Sequence, residues 1–563
     1  MEHAGTAGHV SLSNCRRSKN RIRTLRTTYL KINNDKLEVV TLIFENNKPE
    51  VLVPNADLTS VVLEQVDDLN DKAALIDGTT GRTVSYTELR KQINHLAAGL
   101  DKIGFKKGDV CAVFCPNMPE YATIFLAVAK VGGINTTVNS LYPTNDLIHQ
   151  FNDSKAKILI TISAFMDRAL PAAQECGIEE IFVLGEAEGA IPFTQLFDND
   201  GVPPQVSIDP KTDLVALPYS SGTTGLSKGV MLTHENLIAN LVLTNSINTI
   251  EDEDVLIGVL PFFHIYGMVL ILNLAIYRGV TLVTMPRFDL EQFLEIVQKY
   301  KISCLNLVPP LVLALSKHPL IDKYDVSSIR LISSGAAPLG QELEQACAER
   351  LDCQVYQGYG LTEVAGASHI NTIPVPADKV GAVGKVIPNT YSKVIDTETG
   401  KELNTNEKGE VLIKGSHVMA GYLNNEEATK HCIDGEGWFH TGDIGYADED
   451  GYFFIVDRVK ELIKYKAYQV APAELEALLV GHDSIADAAV IPSPDEEAGE
   501  IPKAFVVLKE EISAEDIMAF VADRVAPHKK IRKLEIVDEI PKSASGKILR
   551  RILVEQEREK INK

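Results

Sequence analysis

The sequence predicts an α/β protein with a large, multi-layered amino-terminal domain and a small α+β carboxyl-terminal domain. Three observations carry that expectation. The chain has 563 residues, more than one simple domain holds. From Pro49 to about Val456, β-like apolar runs alternate with helical patterns, as stacked α/β layers require. Beyond Asp457 the elements become shorter and mix both types.

In chain order, 111–114 reads as a strand, 121–131 as a helix and 158–162 as a strand. The β-like run 214–217 precedes a glycine-rich stretch; 230–232 follows it, and a helix begins near Glu235. The apolar run 268–277 stops at Arg278, far short of the roughly 18 residues a bilayer span needs. It is expected in the core, and no transmembrane segment is expected. The run 329–333 is β-like, Gly335-Ala336-Ala337-Pro338 is a turn, and Leu339, Leu343 and Cys347 then share a helical face. Pro472 opens a helix through Leu475, Leu478 and Leu479, and Ser513 caps another through Ile517 and Phe520. Strands are expected over 488–491 and 504–508. No internal repeat is present.

Apolar residues make up 45% and charged residues 23% of the chain, so the bulk must fold. A net charge of −22, from 55 basic and 77 acidic residues, repels nucleic acid and anionic membranes. Residues 1–33 differ: Arg16, Arg17, Lys19, Arg21, Arg23, Arg26 and Lys31 face Glu2 alone. They lack the apolar face of a transit peptide, so 1–45 is expected to be a flexible basic extension. Eight cysteines without a CxxC pair imply reduced thiols, with neither zinc site nor disulfide framework. The end Ile561-Asn562-Lys563 does not resemble a peroxisomal address. Cytoplasm is the expected compartment, with mitochondrion and peroxisome as alternatives.

Tyr219-Ser220-Ser221-Gly222-Thr223-Thr224-Gly225-Leu226-Ser227-Lys228-Gly229 joins a strand to a strand and helix. Its glycines let backbone amides wrap an anion, its hydroxyls add donors and Lys228 adds charge, a combination suited to a polyphosphate. A P-loop needs four residues between its glycine and a Gly-Lys pair; here Gly222 and Gly225 are too close and Lys228 follows Ser227.

This run resembles the phosphate loop of the adenylate-forming enzymes, which include acyl-CoA synthetases, 4-coumarate–CoA ligases and beetle luciferases, with Ser227 where proline is commoner. Four further segments are similar to the same family in the same order: Gln357-Gly358-Tyr359-Gly360-Leu361-Thr362-Glu363, Gly437-Trp438-Phe439-His440-Thr441-Gly442-Asp443, Val456-Asp457-Arg458-Val459-Lys460-Glu461-Leu462-Ile463-Lys464 and Pro541-Lys542-Ser543-Ala544-Ser545-Gly546-Lys547. The resemblance covers roughly 49–551 and is nearest the coumarate-ligase and luciferase branch. The expected division is the extension 1–45, an adenylate-forming domain 46–457, a hinge 458–460, a mobile carboxyl-terminal domain 461–552 and a tail 553–563.

The resemblance implies a two-step reaction. A carboxylate attacks the α-phosphate of ATP, giving an acyl adenylate and pyrophosphate; the thiol of CoA then displaces AMP. It implies that Lys547 stabilises the anionic transition state, that Thr362 donates to the α-phosphate and that Glu363 holds Mg2+. Tyr359 would face adenine, with Asp443 and Arg458 on the ribose hydroxyls. Ser220, Ser221, Gly222, Thr223, Thr224, Gly225, Lys228, Gln357, Gly358, Lys464 and Gln469 complete the implied nucleotide contacts. His264 and Tyr266 would flank the acyl pocket, with Gly335, Ala336 and Ala337 at its floor. Lys460 is the implied hinge residue. Arg287 and Lys466 are the CoA candidates, and Ala467 adds a methyl where the family's glycine lets pantetheine pass.

The expected function is therefore an ATP- and magnesium-dependent acid–thiol ligase acting on a hydrophobic fatty or aryl acid, since the stretch around Phe262, Phe263 and Met268 is apolar. A luciferase-like oxygenase and a carrier-protein-loading enzyme are the alternatives. A scaffold without chemistry would be expected to lack Lys547, Glu363 or Asp443, and all three are present.

Overall fold

The computed structural model describes residues 42–220, 227–247, 249–466, 468–495, 497–543 and 546–561, and the backbone of 30–33 and 36–39. Ser221, Gly222, Thr223, Thr224, Gly225, Ala467 and the basic segment 1–29 lie outside the described residues.

Apolar runs with no polar alternation form the centres of sheets. Val110–Phe114 is buried at every position, the pattern of a strand covered on both faces. It lies between Ala156–Ile162 and Ile134–Thr137, all parallel, in a nine-stranded sheet. The helix Pro119–Lys130, with proline in its first turn, is buried almost all round. The sheet becomes antiparallel where Lys228–Thr233 pairs with Leu214–Ala216 and Tyr219–Ser220, so both stems of the glycine-rich run end at this edge.

A second nine-stranded sheet runs parallel from Ala73–Asp77 through Thr281–Thr284, Val255–Gly258, Cys304–Leu307 and Leu331–Ser334 to Gln354–Leu361. It reverses at Gly366–Ile370. A five-stranded antiparallel sheet extends from Phe44–Glu45 to Phe453–Arg458. The Phe453 ring meets Phe44 edge-on at 5.1 Å and His369 at 4.4 Å, which ties this sheet to the second. The main core threads all three sheets, from Phe44 to Phe453.

Separate cores serve the carboxyl-terminal segment, one spanning Ile463 to Ile531 and one Ala489 to Leu553. There Gly499–Leu508 pairs with Ile485–Asp495, Ile463–Tyr465 and Lys533–Ile536. The helices Pro472–Gly481 and Ala514–Ala522 start where proline and Ser513 predict, and the Ser513 hydroxyl accepts from the Asp516 amide.

Two expectations are corrected. Residues 1–45 are not all extension, because Phe44–Glu45 pairs with Tyr391 and Ser392 and Phe44 is in the core. Residues 553–561 are not a simple tail: the helix Arg550–Ile561 includes them, burying Leu553 and seating Glu557 on Ser493 and Lys503. The run 268–277 is core as expected, but it begins as a wide π-type helix, Tyr266–Asn273, before the α-helix Leu274–Arg278. Asn273 donates into the widened turn at the Met268 carbonyl, 2.8 Å away. Gly267 is required there, since a β-carbon would stand 2.2 Å from the Pro261 carbonyl oxygen. Among the described residues no helix is long and apolar enough to cross a membrane.

Candidate active site

A cleft of 2510 Å³ opens where the parallel strands of the second sheet end, and the carboxyl-terminal segment covers it. Both stems of the glycine-rich run reach it. The Ser220 hydroxyl donates to Glu363 Oε1 at 3.0 Å, and the Tyr422 hydroxyl donates to the same oxygen at 2.8 Å. The Lys228 ammonium lies 5.0 Å above the Tyr422 ring. Among the described residues no cluster of His, Cys, Asp and Glu could hold a metal unaided. Glu363 is nevertheless a hard oxygen donor: both described donors fall on Oε1, and a carboxylate oxygen such as Oε2 is of the type that magnesium prefers. Thr362, next to it, also lines the cleft.

The strand Gln354–Leu361 carries the aromatic part of the site. Gly360 is needed where this strand folds against Gly366–Ile370, because a β-carbon would lie 1.8 Å from the Gly366 carbonyl oxygen. Tyr359 donates to Asp443 Oδ2 at 2.6 Å, and Arg458 Nε donates to Asp443 Oδ1 at 2.8 Å. Burial, then the Asp443 charge, pushes the Tyr359 phenol well above its ordinary pKa, so it remains a donor. Three residues distant in sequence thus form one group able to present a carboxylate and a cation to a nucleoside. Gly358 lines the cleft beside them. The Gln357 side chain does something else: its amide donates to the Leu339 carbonyl at 3.1 Å and Glu344 at 2.7 Å, and its oxygen accepts from the Leu339 amide at 3.1 Å. It braces the strand against the Gly335–Pro338 turn, where a nucleotide contact was expected.

Leu270, Leu274, Ile250, Leu331 and Val383 are among the apolar residues lining the cleft. The Tyr266 hydroxyl donates to the Ser333 carbonyl at 3.2 Å. Tyr356 and Thr249 line the cleft as well. Gly335 leaves room for the Tyr266 ring, whose edge would be 3.1 Å from an added β-carbon. Ala336 lines the cleft with φ +67°, a costly conformation for a residue with a β-carbon. His264 also lines the cleft; burial, then the nearby Lys547 charge, lowers it to about 4, so it is neutral near pH 7.

Lys547 reaches the same cleft from the carboxyl-terminal segment. Its loop is held by the Ser543 amide on the Lys547 carbonyl at 2.8 Å and the Lys547 amide on the Ser543 hydroxyl at 3.1 Å. Burial, then Arg458, lowers the Lys547 pKa, while Glu461 and Asp443 oppose that shift. Arg550, three residues on, pairs with Glu461 and with Glu476, the latter at 2.5 Å. Asp457 accepts from the Ala473 amide at 2.8 Å, joining the last strand of the main unit to the first turn of Pro472–Gly481. Lys460 lies between, at the edge of the cleft.

Other expected residues are not brought here. Lys464 and Gln469 face each other across an exposed hairpin outside the cleft. Lys466, in its turn with φ +52°, is paired with Glu497 at 2.7 Å. Arg287 is exposed and also outside the cleft. Lys464 and Gln469, expected at the nucleotide, and Arg287 and Lys466, expected at CoA, therefore lie apart from the cleft in this structure. Sequence reasoning missed Tyr422, Ser333 and Tyr356. Gly421-Tyr422 was visible as a glycine–aromatic pair, but nothing in chain order links it to Glu363.

The AMP-binding enzyme family model matches residues 62–423, and the AMP-binding enzyme C-terminal domain model matches 474–547. The chain is 44% identical over 524 residues to 4-coumarate–CoA ligase 2 of Petroselinum crispum, covering 91% of this chain and 96% of that one. Two solved structures share its fold. One is an anthranilate CoA ligase in complex with anthranoyl-AMP, with TM-score 0.85, 25% identity, and coverage of 91% of this chain and 99% of that one. The other is ATP-bound MatB from Rhodopseudomonas palustris, with TM-score 0.81, 29% identity, and coverage of 89% and 99%. With a large α/β unit, a small carboxyl-terminal domain and a cleft between them, the chain belongs to the AMP-binding enzyme family.

Proposed function

We propose that the chain is an AMP-forming acid–CoA ligase that activates a hydrophobic aryl or fatty acid, and that the domain orientation described is the one for adenylation. The observation that carries this reading is Lys547 in the same cleft as the Tyr359–Asp443–Arg458 group and His264. The names of its relatives, ligases of 4-coumarate, support an aryl acid, and the apolar walls around Leu270 and Leu274 support either class.

In this reading the acid lies with its apolar part against Tyr266 and Gly335 and its carboxylate toward His264 and Lys547. A neutral His264 can orient the carboxylate without competing for it as a charge. The ribose is held by Asp443, which Tyr359 and Arg458 fix in place. Attack on the α-phosphorus gathers negative charge between two anionic reactants, and the Lys547 ammonium stabilises it from a position already desolvated. Thr362 donates to the same phosphate. Pyrophosphate leaves along Ser220 and Lys228. Glu363 would hold the magnesium ion that accompanies ATP and spreads the charge of its phosphates.

The second step requires different residues in the cleft. We place a hinge at 458–460, about which the domain 461–552 turns to withdraw Lys547 and bring the hairpin of Lys464, Lys466 and Gln469 to the adenylate. The test is AMP release with medium-chain, long-chain and cinnamate-type acids, each with and without CoA, resolving acyl-AMP and acyl-CoA by mass. CoA-dependent thioester identifies the substrate class. Adenylate that never becomes thioester sinks the ligase reading.

A further inference from the structure

The helix Thr144–Ser154 contacts the two stems of the glycine-rich run, and no step of the reaction has so far involved it. His149 and Asp153 are four residues apart on it, so their side chains share a face. His149 donates its Nε2–H to the Ser227 carbonyl at 3.1 Å, and its ring stands edge-on to Tyr219 with centroids 6.3 Å apart. Asp153 accepts from the Tyr219 hydroxyl at 2.8 Å and from the Asn424 amide at 3.1 Å. Tyr142, just before the helix, lines the cleft with Ser227. Tyr219 belongs to the strand entering the glycine-rich run and Ser227 to the segment leaving it. One short helix therefore grips both stems from the same side.

We propose that His149 is a positioning residue which, with Asp153, clamps the two stems and presents Ser220 and Lys228 to the terminal phosphates of ATP. This rests on the reading that the cleft binds ATP. The Ser227 carbonyl is one peptide unit from Lys228, so fixing it restricts where the lysine backbone can lie. A stem ordered before ATP arrives loses less conformational freedom on binding. The clamp touches neither Tyr359 nor Asp443, so it acts on the β- and γ-phosphates and not on the nucleoside.

ATP and AMP binding to the full chain, measured by titration calorimetry in magnesium buffer, separates these ends without needing the acid. His149→Ala is expected to weaken ATP about fivefold to tenfold, the worth of one hydrogen bond, and AMP less than twofold. His149→Gln, whose side-chain amide can donate to the same carbonyl, is expected to restore ATP affinity. Unchanged ATP affinity in His149→Ala, or equal loss of both nucleotides, overturns the clamp. Failure of His149→Gln to restore it overturns the hydrogen bond as the cause. A wild-type chain that binds neither nucleotide overturns the ATP-site reading itself.

Discussion

The loop that carries Lys547 and the hairpin that carries Lys464, Lys466 and Gln469 belong to one small domain, yet their surroundings are opposite. The first enters the cleft, is held by two hydrogen bonds from Ser543 and Lys547, and seats Gly546 near Val308. Burial lowers the Lys547 pKa, and Arg550, three residues on, lies between Glu461 and Glu476. The second is exposed, and the pair it makes, Lys466 with Glu497, has a side chain 85% accessible on its acidic side. Buried pairs are costly to break and exposed pairs contribute little. In this structure the cleft is lined by Lys547, while the hairpin lies outside it.

Removing the Arg550 side chain should break the comparison most severely. Arg550→Ala leaves Glu461 and Glu476 without their shared partner, which costs about 3 kcal/mol of stability. Adenylation is expected to fall roughly a hundredfold, because Lys547 loses its anchored loop. Thioester formation from supplied acyl-AMP should fall far less. Equal loss in both steps would mean that the two faces are not separately organised.

Lys466→Ala should do the reverse, slowing thioester formation about tenfold by removing a charge suited to CoA phosphates and leaving acyl-AMP formation unchanged. Rapid-quench kinetics of each half-reaction checks this. At the acyl end, Gly335→Ala puts a β-carbon 3.1 Å from the Tyr266 ring. It is expected to raise KM several-fold for the bulkiest acids that are turned over, with KM for ATP unchanged. Equal effects on small and bulky acids would remove Gly335 from the chamber.

The smallest effect concerns pH. Burial raises Asp457 to about 6 despite Arg550, so the folded chain holds this proton more tightly than the unfolded one. Its contribution to stability is fully present below the ordinary carboxylate pKa and is lost as pH rises through about 6. Asp457→Asn keeps an oxygen for the Ala473 amide and should flatten the stability profile between pH 4 and 6, measured by denaturant unfolding. An unchanged slope would show that Asp457 is not the group responsible.

The strands at 111–114 and 158–162 were legible because continuous apolar runs leave no wet face, and the starts at Pro472 and Ser513 because caps act within one turn. Phe44–Glu45 was not, since a strand that short has no periodicity of its own and exists only by pairing with Tyr391 and Ser392. The widened helix at Tyr266 was hidden for a different reason: its residues are apolar on nearly every side, so no period distinguishes one helical pitch from another. At the site, motif order pointed to Tyr359, Asp443 and Arg458, and the structure joins them. Gln357 belongs to the same motif but spends its amide on Leu339 and Glu344, a use that depends on a turn 18 residues earlier. The placement of Lys464 and Gln469 depends on domain orientation, which local sequence does not encode.

The most direct test of one cleft served by two faces in turn is Lys547→Ala, assayed separately in each half-reaction. With ATP and acid, acyl-AMP formation is expected to fall by about a hundredfold or more, as when a preorganised charge at a transition state is lost. With acyl-AMP and CoA supplied, thioester formation should match the wild type. A variant that loses both halves alike, or neither, would contradict the account.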